Sequence, residues 1–521
     1  MPEQSPLAAS VRLDPAVKLL TGPDGVTVLL GGSPLRLLRL RSPADQLVRA
    51  VQRGSNLAEA IAVLPEARRQ AGHKLIVDLV SRGLAHPVPH ANPTRSLTDV
   101  SIVIPVHNRG SALRRLLETV RPLSSRGAAV IVVDDGSTDG TGEVTRLLGA
   151  TVIRRDAASG PAAARNAGLA EVATPIVAFL DSDTIPIDGW LDLCLSHLDE
   201  TTGIRNLATV DVVAPRIVGR TDVTTDLTTG QTTGHPASDT TPRSKIAQRI
   251  EKYEHVRSPL DLGPDPAIIA PMTRVAYVPS AALVCRTEAL RSANGFDEAL
   301  QFGEDVDLLW RLHRNGRVMR FEPLAQVTHA HRTTPVQFVR RRFEYGTSAA
   351  ALDRRHPGLV PPAVLSPWSA GAIALAIAHP LGAVVGAGVV VVTAGQLPKK
   401  IPQLRPSDAR ALAFRGHLAA GEQCAESATR TWFPLTALAA CFSPRARWML
   451  VLSLIVPGLR EHHRRTPALG RATFLALRAI DDAAYGFGVW AGSLRARSVG
   501  ALLPKIHNWP GRPGTGEDTK V

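Results

Sequence analysis

Two carboxylates one residue apart are the side chains of this sequence best suited to chemistry. Asp181 and Asp183 close the apolar run PIVAFLDSD, so they stand where a buried strand meets solvent. Acidic side chains at this spacing can turn toward one divalent ion, and their oxygens select hard cations such as Mg²⁺ or Mn²⁺. Taken alone, Asp181-Ser182-Asp183 is also typical of a solvated turn, because Asp and Ser are common turn formers. The choice depends on the elements around the triplet.

The elements that position these carboxylates can be read upstream of them. DVSIVIPVHNRG predicts a strand over 100–105, then a polar turn and the helical spacing of SALRRLLETV. The next apolar run, AAVIVVDDGSTDGT, predicts a strand that ends in Asp134 and Asp135, and a third strand is predicted near 151–154. Val/Ile runs separated by helical patterns predict a parallel α/β sheet. Its ligand is expected outside the carboxyl ends of the strands, where all four aspartates fall.

Five segments in this order resemble the inverting family 2 glycosyltransferases of GT-A (Rossmann-like) fold: VSIVIPVHNR, VVDDGSTDGT, GPAAARNAGL, VAFLDSDT and GFDEALQFGEDVDLLWRL. The resemblance covers about 99–342. It implies that Asp134 or Asp135 binds the uracil side of a nucleotide sugar, with the choice between them open. It also implies that Asp181 and Asp183 hold a metal and its diphosphate. The implied nucleotide-sugar-binding residues are Pro105, Asp134, Asp135, Arg165, Asp181 and Ser182.

A general base is the second requirement of this chemistry. Displacing a nucleoside diphosphate from an anomeric carbon needs charge neutralisation on the leaving oxygens, which Mg²⁺ or Mn²⁺ supplies, and a base for the attacking hydroxyl. Glu304 and Asp305 follow Gly303 and precede the helical pattern VDLLWRLHRNG. Helix capping alone would explain Asp305, but its order after the DSD and GFDE segments matches the base position of the family. We therefore predict that Asp305 is the general base, and the resemblance implies a β-linkage formed from an α-linked donor.

Two further motifs follow the predicted base. AQVTHAHRTT places His329 and His331 at alternating positions of a predicted strand, so both can face one side. His329 is a candidate third metal ligand, and the alternative is a strand histidine with a hydrogen-bonding role. Gln337 opens QFVRR, where processive members of the family carry Gln-x-x-Arg-Trp; Arg341 in place of Trp argues against synthesis of a long polymer. The arginines of this segment are predicted to hold a diphosphate or lipid headgroup, or to form a solvated basic face.

Composition limits the partners and the compartment. The 521 residues allow several domains, and the net charge of +14 with a pI near 10.3 favours an anionic partner such as a nucleotide or a membrane. Nucleic acid is disfavoured, because aromatic residues make up only 4% and no zinc-ligand spacing is present. Four dispersed cysteines fit a reducing cytoplasm. MPEQSPLAASVRLDP lacks a signal pattern, so the catalytic portion is predicted to be cytoplasmic.

The C-terminal part is predicted to be helical and membrane-associated over 351–505. LSPWSAGAIALAIAHPLGAVVGAGVVVVTAG has no charged residue and is longer than one bilayer crossing needs. Pro380 leaves one tilted span or two short ones open, and a soluble apolar helix is the alternative. In a second stretch, Arg445 and Arg447 split the apolar sequence, which predicts a re-entrant or interfacial pair or a span. Flanking basic residues suit an anionic cytoplasmic leaflet. A disordered tail is predicted over 506–521.

Residues 1–95 are predicted to form a small winged-helix-like module. VRLDPAVKLLTGPDGVTVLLGGSPLRLLRL predicts two strands around the turn at 22–25, and SPADQLVRAVQRG and LAEAIAVLPEARRQAGHKLIVDLVSRGL predict helices. The VLL, SPLRLLRL and SRGL segments resemble the peptide-recognition domains of ribosomal-peptide maturation systems. A strand edge beside a helix can bind an extended peptide, whereas the alternative is a structural cap on the transferase domain.

The order of this module, a transferase domain over 96–350 and an apolar C-terminal region is similar to that of the mycofactocin-system glycosyltransferases of actinobacteria. That resemblance implies a peptide-derived redox cofactor precursor as acceptor and a short β-linked glucose chain made from UDP-glucose. A polyprenyl phosphate or glycolipid acceptor is the alternative. A non-catalytic peptide-binding scaffold is a third hypothesis, and the presence of Asp181, Asp183 and Asp305 together argues against it.

Overall fold

The computed structural model describes residues 10–90, 93–147, 150–199, 207–219, 223–225, 232–234, 244–330 and 333–507. His331 and residues 508–521 of the predicted tail lie outside these ranges. The described N-terminal elements are β1 (Val11–Leu13), β2 (Lys18–Thr21), β3 (Thr27–Gly31), β4 (Arg36–Leu40), α1 (Ala44–Gln52), α2 (Leu57–Ala62), α3 (Glu66–Ser81) and β5 (Ala85–Pro87).

The N-terminal strands form two small antiparallel sheets. β2, β3 and β4 pair in sequence order, and β1 pairs with β5. The predicted turn at 22–25 is confirmed: Gly22 donates its N–H to the carbonyl of Val26, and Gly25 has a φ of 77°. Glycine suits this position because a Cβ would strain a left-handed backbone. The predicted helices are confirmed as α1, α2 and α3. The winged-helix assignment stays a prediction.

The central part of the chain carries a large sheet flanked by helices. Its described elements are β6 (Val100–Val106), α4 (Gly110–Ser125), β7 (Ala129–Asp135), α5 (Thr141–Leu147), β8 (Thr151–Arg155), α6 (Pro161–Glu171), β9 (Ile176–Leu180), β10 (Thr184–Pro186), α7 (Trp190–Leu198), β11 (Val210–Gly219), β12 (Val223–Thr225), β13 (Thr232–Gly234), α8 (Lys245–Arg257), β14 (Ala267–Ile268), β15 (Ala282–Arg286), α9 (Thr287–Ser292), α10 (Glu304–Arg314) and β16 (Val318–His329).

The large sheet is mixed. Its strand order is β10-β16-β11-β15-β9-β6-β7-β8, with β14 also paired to β16. Strands β9, β6, β7 and β8 are parallel, as predicted. The prediction of a parallel sheet is wrong for β15, which runs antiparallel to both β9 and β11, and for β10 and β14, which run antiparallel to β16. The apolar run ALVCR is buried on both faces, and such a run reads the same for either strand direction.

Helices cover both faces of this sheet. Helices α4 and α7 pack on one face, and α6, α9 and α10 pack on the other. Every residue of β6 and β9 is buried, which explains why their sequences are continuous apolar runs rather than alternating ones. Helix α6 lies close to the sheet at Gly168, where an added Cβ would come within 2.3 Å of a methyl carbon of Val103. The small residues of SGPAAARNAGLA therefore bring this helix against the strands.

The C-terminal part is helical apart from two short strands. Its described elements are α11 (Pro335–Arg355), β17 (Val364–Leu365), α12 (Pro367–Ala378), α13 (Pro380–Lys400), α14 (Pro406–Thr429), α15 (Phe433–Phe442), α16 (Pro444–Arg465), α17 (Arg471–Ala496) and β18 (Lys505–Ile506). Strands β17 and β18 pair in parallel. Of the described helices, Pro380–Lys400 is long and apolar enough to cross a membrane.

The chain divides into two compact units. One contains Val48–Pro335 with Gly32–Pro34 and the residues up to Pro15, and the other contains Val336–Val521 with Ala16–Gly31 and Leu35–Leu47. Strands β2 to β4 therefore belong to the second unit. Val28 of β3 is buried there in one apolar cluster with Ile401 and Leu404. The predicted boundary at residue 95 does not coincide with a boundary of either unit.

Candidate active site

The predicted acidic residues lie at one edge of the large sheet. Strand β7 ends at Asp135, and Asp181 follows the last residue of β9. Because β6, β7 and β9 are parallel, their carboxyl ends share this edge. Pro105 lies near the end of β6, buried and opposite Val133 of β7. The sequence therefore located the edge correctly from strand order and strand ends.

Asp183 is held by two basic side chains. Arg109, in the loop after β6, donates Nη1 to its Oδ2, and His329 places Nε2 3.5 Å from its Oδ1. His329 reaches it because β10 pairs antiparallel with β16, which puts Thr184 opposite His329. Burial raises the pKa of Asp183, but His329 and Arg109 outweigh burial and bring that pKa below its usual value. Asp183 is thus ionised over the physiological pH range.

Asp181 is linked to the predicted base helix through one buried arginine. Arg165 of α6 donates Nη2 to Asp181 at 2.7 Å and Nη1 to Glu304 at 3.1 Å. Its guanidinium lies 5.5 Å from the ring centroid of Phe296. Burial lowers the pKa of Arg165, but Asp181 and Glu304 outweigh it, so the net change is upward. Arg165 therefore stays charged although its side chain is only 4% exposed.

Glu304 and Asp305 open helix α10. Burial, and then the charge of Asp305, raise the pKa of Glu304 to about 7 against the opposing effect of Arg165. Burial also raises the pKa of Asp305, although its carboxylate accepts hydrogen bonds from the backbone N–H of Val306 at 2.8 Å and of Ser280 at 3.3 Å. These two donors fix the orientation of the Asp305 carboxylate. An acid with a raised pKa is suited to accept a proton near neutral pH.

Asp134 and Asp135 are buried and engaged by protein groups. Asp134 accepts a hydrogen bond from the backbone N–H of Ser137 at 2.9 Å and pairs with Arg154. Asp135 accepts the backbone N–H of Gly160 at 2.9 Å and lies 3.5 Å from Arg155. Asp134 thus fixes the turn after β7, while Asp135 fixes the loop that enters α6.

Comparisons with known proteins decide the family. A model of the family described as "Glycosyl transferase family 2" matches residues 101–251. The pre-mycofactocin glycosyltransferase of Mycobacterium tuberculosis (strain H37Rv) is 38% identical over 514 residues, which cover 95% of this chain and 97% of that protein. The chain belongs to glycosyltransferase family 2. This family 2 glycosyltransferase is therefore an enzyme, and its mixed α/β sheet is that of the predicted GT-A fold.

Solved structures similar to this family 2 glycosyltransferase share little sequence with it. The mannosyltransferase PcManGT from Pyrobaculum calidifontis, in complex with GDP-Man and Mn²⁺, is 18% identical, and the match covers 76% of this chain and 97% of that one with a TM-score of 0.36. Glucosyl-3-phosphoglycerate synthase from Mycobacterium tuberculosis, in complex with Mg²⁺ and UDP, is 21% identical over 49% of this chain and 78% of that one, with a TM-score of 0.31.

A divalent metal fits part of the predicted ligand set. Within the described ranges, no three His, Cys, Asp or Glu side chains are gathered so that they alone hold a metal ion. Asp183 and His329 are adjacent, whereas Asp181 is turned to Arg165. One carboxylate and one imidazole nonetheless suit Mg²⁺ or Mn²⁺, because such ions take their other ligands from substrate phosphates and water. The pair fits a metal that arrives with a diphosphate.

Sequence reasoning on this family 2 glycosyltransferase missed two residues of the site. The sequence pattern does not single out Arg109, which ends the segment VSIVIPVHNR and forms an ion pair with Asp183. The sequence pattern points to Glu304 only as the neighbour of Asp305, although Glu304 accepts a hydrogen bond from Arg165. The remaining predicted residue, Ser182, is buried between Asp181 and Asp183. The signal for Arg109 was its position directly after the first strand, in the same place as the other site residues.

Proposed function

We propose that this enzyme transfers a hexose, glucose from UDP-glucose, with inversion onto a peptide-derived redox cofactor precursor, and extends it into a short β-linked chain. The observation that carries this proposal is the identity of 38% along nearly the whole length of a glycosyltransferase named for pre-mycofactocin. A shared acceptor is a better explanation of such a match than a shared catalytic domain, because the match includes the regions before and after residues 101–251.

The nucleotide sugar is proposed to bind at the carboxyl edge of β6, β7 and β9. Pro105 lines this cleft, and Asp134 or Asp135 faces the uracil ring. Asp183 and His329 are the residues that would hold Mg²⁺ or Mn²⁺, with Asp181 and Ser182 in the same turn. A bound metal would neutralise charge on the leaving diphosphate.

Asp305 is proposed to act as the general base. Burial raises its pKa and so strengthens its affinity for a proton, and two backbone donors orient the carboxylate. It removes the proton of the acceptor hydroxyl as that oxygen attacks the anomeric carbon, and the bond to the diphosphate breaks on the opposite face. A single displacement of this kind turns an α-linked donor into a β-linked product.

The enzyme is proposed to work at the cytoplasmic face of the cell membrane. Large apolar side chains are exposed on α12, α13, α15 and α16, including Leu381 at 70% and Phe442 at 83%. Contiguous exposed apolar surface of this kind marks an interaction site, since soluble monomers rarely leave it uncovered. The net charge of +14 suits an anionic leaflet.

The N-terminal module is proposed to recognise the peptide part of the precursor. Its β1–β5 pair lies in the first unit and its β2–β4 sheet in the second, and each small antiparallel sheet offers an edge to which an extended peptide can add as a further strand. A structural role of these strands is the competing explanation, and burial of Val28 against Ile401 supports it for β3.

A second candidate acceptor is a membrane lipid, and the exposed apolar helices favour it. The two are separated by incubating membranes that contain the enzyme with UDP-sugars, Mg²⁺ or Mn²⁺ and the precursor, and by reading mass shifts in aqueous and organic extracts. A hexose increment on the aqueous precursor, lost in Asp305→Asn and kept in the exposed control Asp188→Asn, supports the proposal. A labelled lipid with an unmodified precursor would contradict it.

A further inference from the structure

Much of the exposed apolar surface of the second compact unit lies on two helical hairpins. One residue, His379, joins α12 to α13, and one residue, Ser443, joins α15 to α16. Gly382 faces the carbonyl of Leu375, and Gly386 faces that of Ala372, so α12 and α13 run antiparallel in contact. Helices α15 and α16 also pack on each other. Small residues four apart are the usual means by which helices approach closely inside membranes.

Two arginines cap helix ends at the hairpin tips, and one of them joins the two tips. Arg445, at the start of α16, donates to the carbonyls of Ala376 and Ala378 at the end of α12. Arg447 donates in the same way to the carbonyl of Ala440 in α15. The last carbonyls of a helix lack partners within it, and unsatisfied polar groups are costly in hydrocarbon. These arginines therefore satisfy the backbone at tips whose surroundings are apolar.

The exposed apolar surface of the two hairpins is too short to cross a bilayer. From the tips it reaches Val392 on α13 and Leu459 on α16. At about 1.5 Å per residue these are depths of roughly 20 and 24 Å, and α12 and α15 are shorter still. A bilayer presents about 30 Å of hydrocarbon.

A cluster of polar side chains lies at the end of the exposed apolar surface that is farthest from the tip of the first hairpin. His417 of α14 is hydrogen-bonded through Nδ1 to Ser369 at 2.9 Å and through Nε2 to Thr393 at 2.8 Å. Beyond Thr393, helix α13 no longer presents an apolar surface to the outside: Leu397 packs in the cluster around Val28 of β3. The last third of α13 thus packs against other parts of the protein, although the whole helix is long enough to cross a membrane.

We propose that both hairpins insert into one leaflet of the bilayer and return to the same side, so that the protein is monotopic. This inference rests on the membrane association proposed above and specifies its form. The depth of about 20 Å matches one leaflet with its headgroups, half of the 40–45 Å total. The longer helix of each hairpin carries basic residues at the end away from the tip: Lys399 and Lys400 end α13, and Arg464 and Arg465 end α16. They suit the anionic headgroups at the entry side.

Cysteine accessibility tests the topology in the full-length protein. In a Cys424→Ala, Cys441→Ala background, Leu381→Cys reports on the tip of the first hairpin. Lys400→Cys reports on the other end of α13. An impermeant maleimide is applied to inside-out vesicles and to spheroplasts of the expressing cells. We expect Lys400→Cys to react only in inside-out vesicles, and Leu381→Cys to react in neither until detergent is added.

Two results would overturn the inference. Reaction of Leu381→Cys only in spheroplasts means that α13 spans the membrane, and its reaction in intact inside-out vesicles means that the tip is outside the lipid. Sugar transfer is measured on the same vesicles. Transfer with an accessible tip rejects the anchoring alone, whereas a protected tip without transfer rejects the proposed activity and leaves the anchoring in place.

Discussion

Replacing Glu304 by Gln tests the electrostatics of the base helix. Glu304 is 8% exposed and lies 3.1 Å from Arg165. Burial and the neighbouring Asp305 raise its pKa from 4.5 to about 7. At about 1.4 kcal/mol per pH unit, this rise corresponds to roughly 3 kcal/mol between the two protonation states. Gln keeps the size and the acceptor oxygen of the protonated acid but cannot ionise.

The sign of the effect on stability follows from proton binding. Below the unfolded pKa near 4.5, Glu304 is protonated in both states and adds no pH dependence. Between 4.5 and about 7 the folded state holds a proton that the unfolded state has released, so stability falls as pH rises. The stability of Glu304→Gln relative to wild type should therefore increase by roughly 3 kcal/mol from pH 4 to pH 8. Thermal unfolding in detergent at a series of pH values measures it.

The same change should alter the pH profile of transfer. Asp305 must lose its proton to act as a base, and the charge of Asp305 raises the pKa of Glu304, so the two carboxylates titrate as an interacting pair. In Glu304→Gln the ascending limb of kcat should move to lower pH by on the order of one pH unit. Glu171→Gln, at an exposed position of α6, is the matched control. An unmoved limb, together with an unchanged stability profile, would refute the view that these two carboxylates interact.

Three further predictions concern the proposed metal ligand Asp183, the metal itself and the contact between α12 and α13. Asp183→Asn should weaken UDP binding in the presence of Mn²⁺ by about 1.4 kcal/mol, tenfold in Kd, and calorimetry in EDTA should find no such weakening. Chelation of divalent metal should abolish transfer, and added Mn²⁺ or Mg²⁺ should restore it. Gly386→Val should lower the Tm through an overpacking cost of about 1–3 kcal/mol, because its Cβ would lie 2.6 Å from the Ala372 carbonyl oxygen, whereas Gly388→Val meets open space and should not.

Strand ends were the most reliable signal in the sequence. The predicted strand over 100–105 is β6, which runs to Val106, and the strands predicted to end at 135 and near 154 are β7 and β8. Buried parallel strands are continuous apolar runs, and the polar residues that end them mark the edge of the sheet. That is why four aspartates were placed at one edge without knowledge of the contacts.

Long-range pairing was invisible in the sequence. The approach of His329 to Asp183 depends on the antiparallel register of β10 and β16, and no local pattern encodes it. The membership of β3 in the second unit depends on an apolar cluster that joins Val28 to residues more than 350 positions later in the chain, including Ile401. Apolar periodicity shows that a face is buried, but it does not show against which part of the chain.

Each of the four predicted aspartates at the strand ends has its own arginine, and this pairing changes the view of the site. Asp134 pairs with Arg154, Asp135 with Arg155, Asp181 with Arg165 and Asp183 with Arg109. The edge of the sheet is therefore nearly neutral rather than strongly acidic, so an incoming diphosphate meets cations as well as carboxylates. Arg109 binds the carboxylate that suits a metal. Donor binding should then be an exchange, in which phosphate oxygens compete for Arg109 while the metal competes for Asp183. We therefore expect that ion pair to limit the strength of any metal binding without nucleotide.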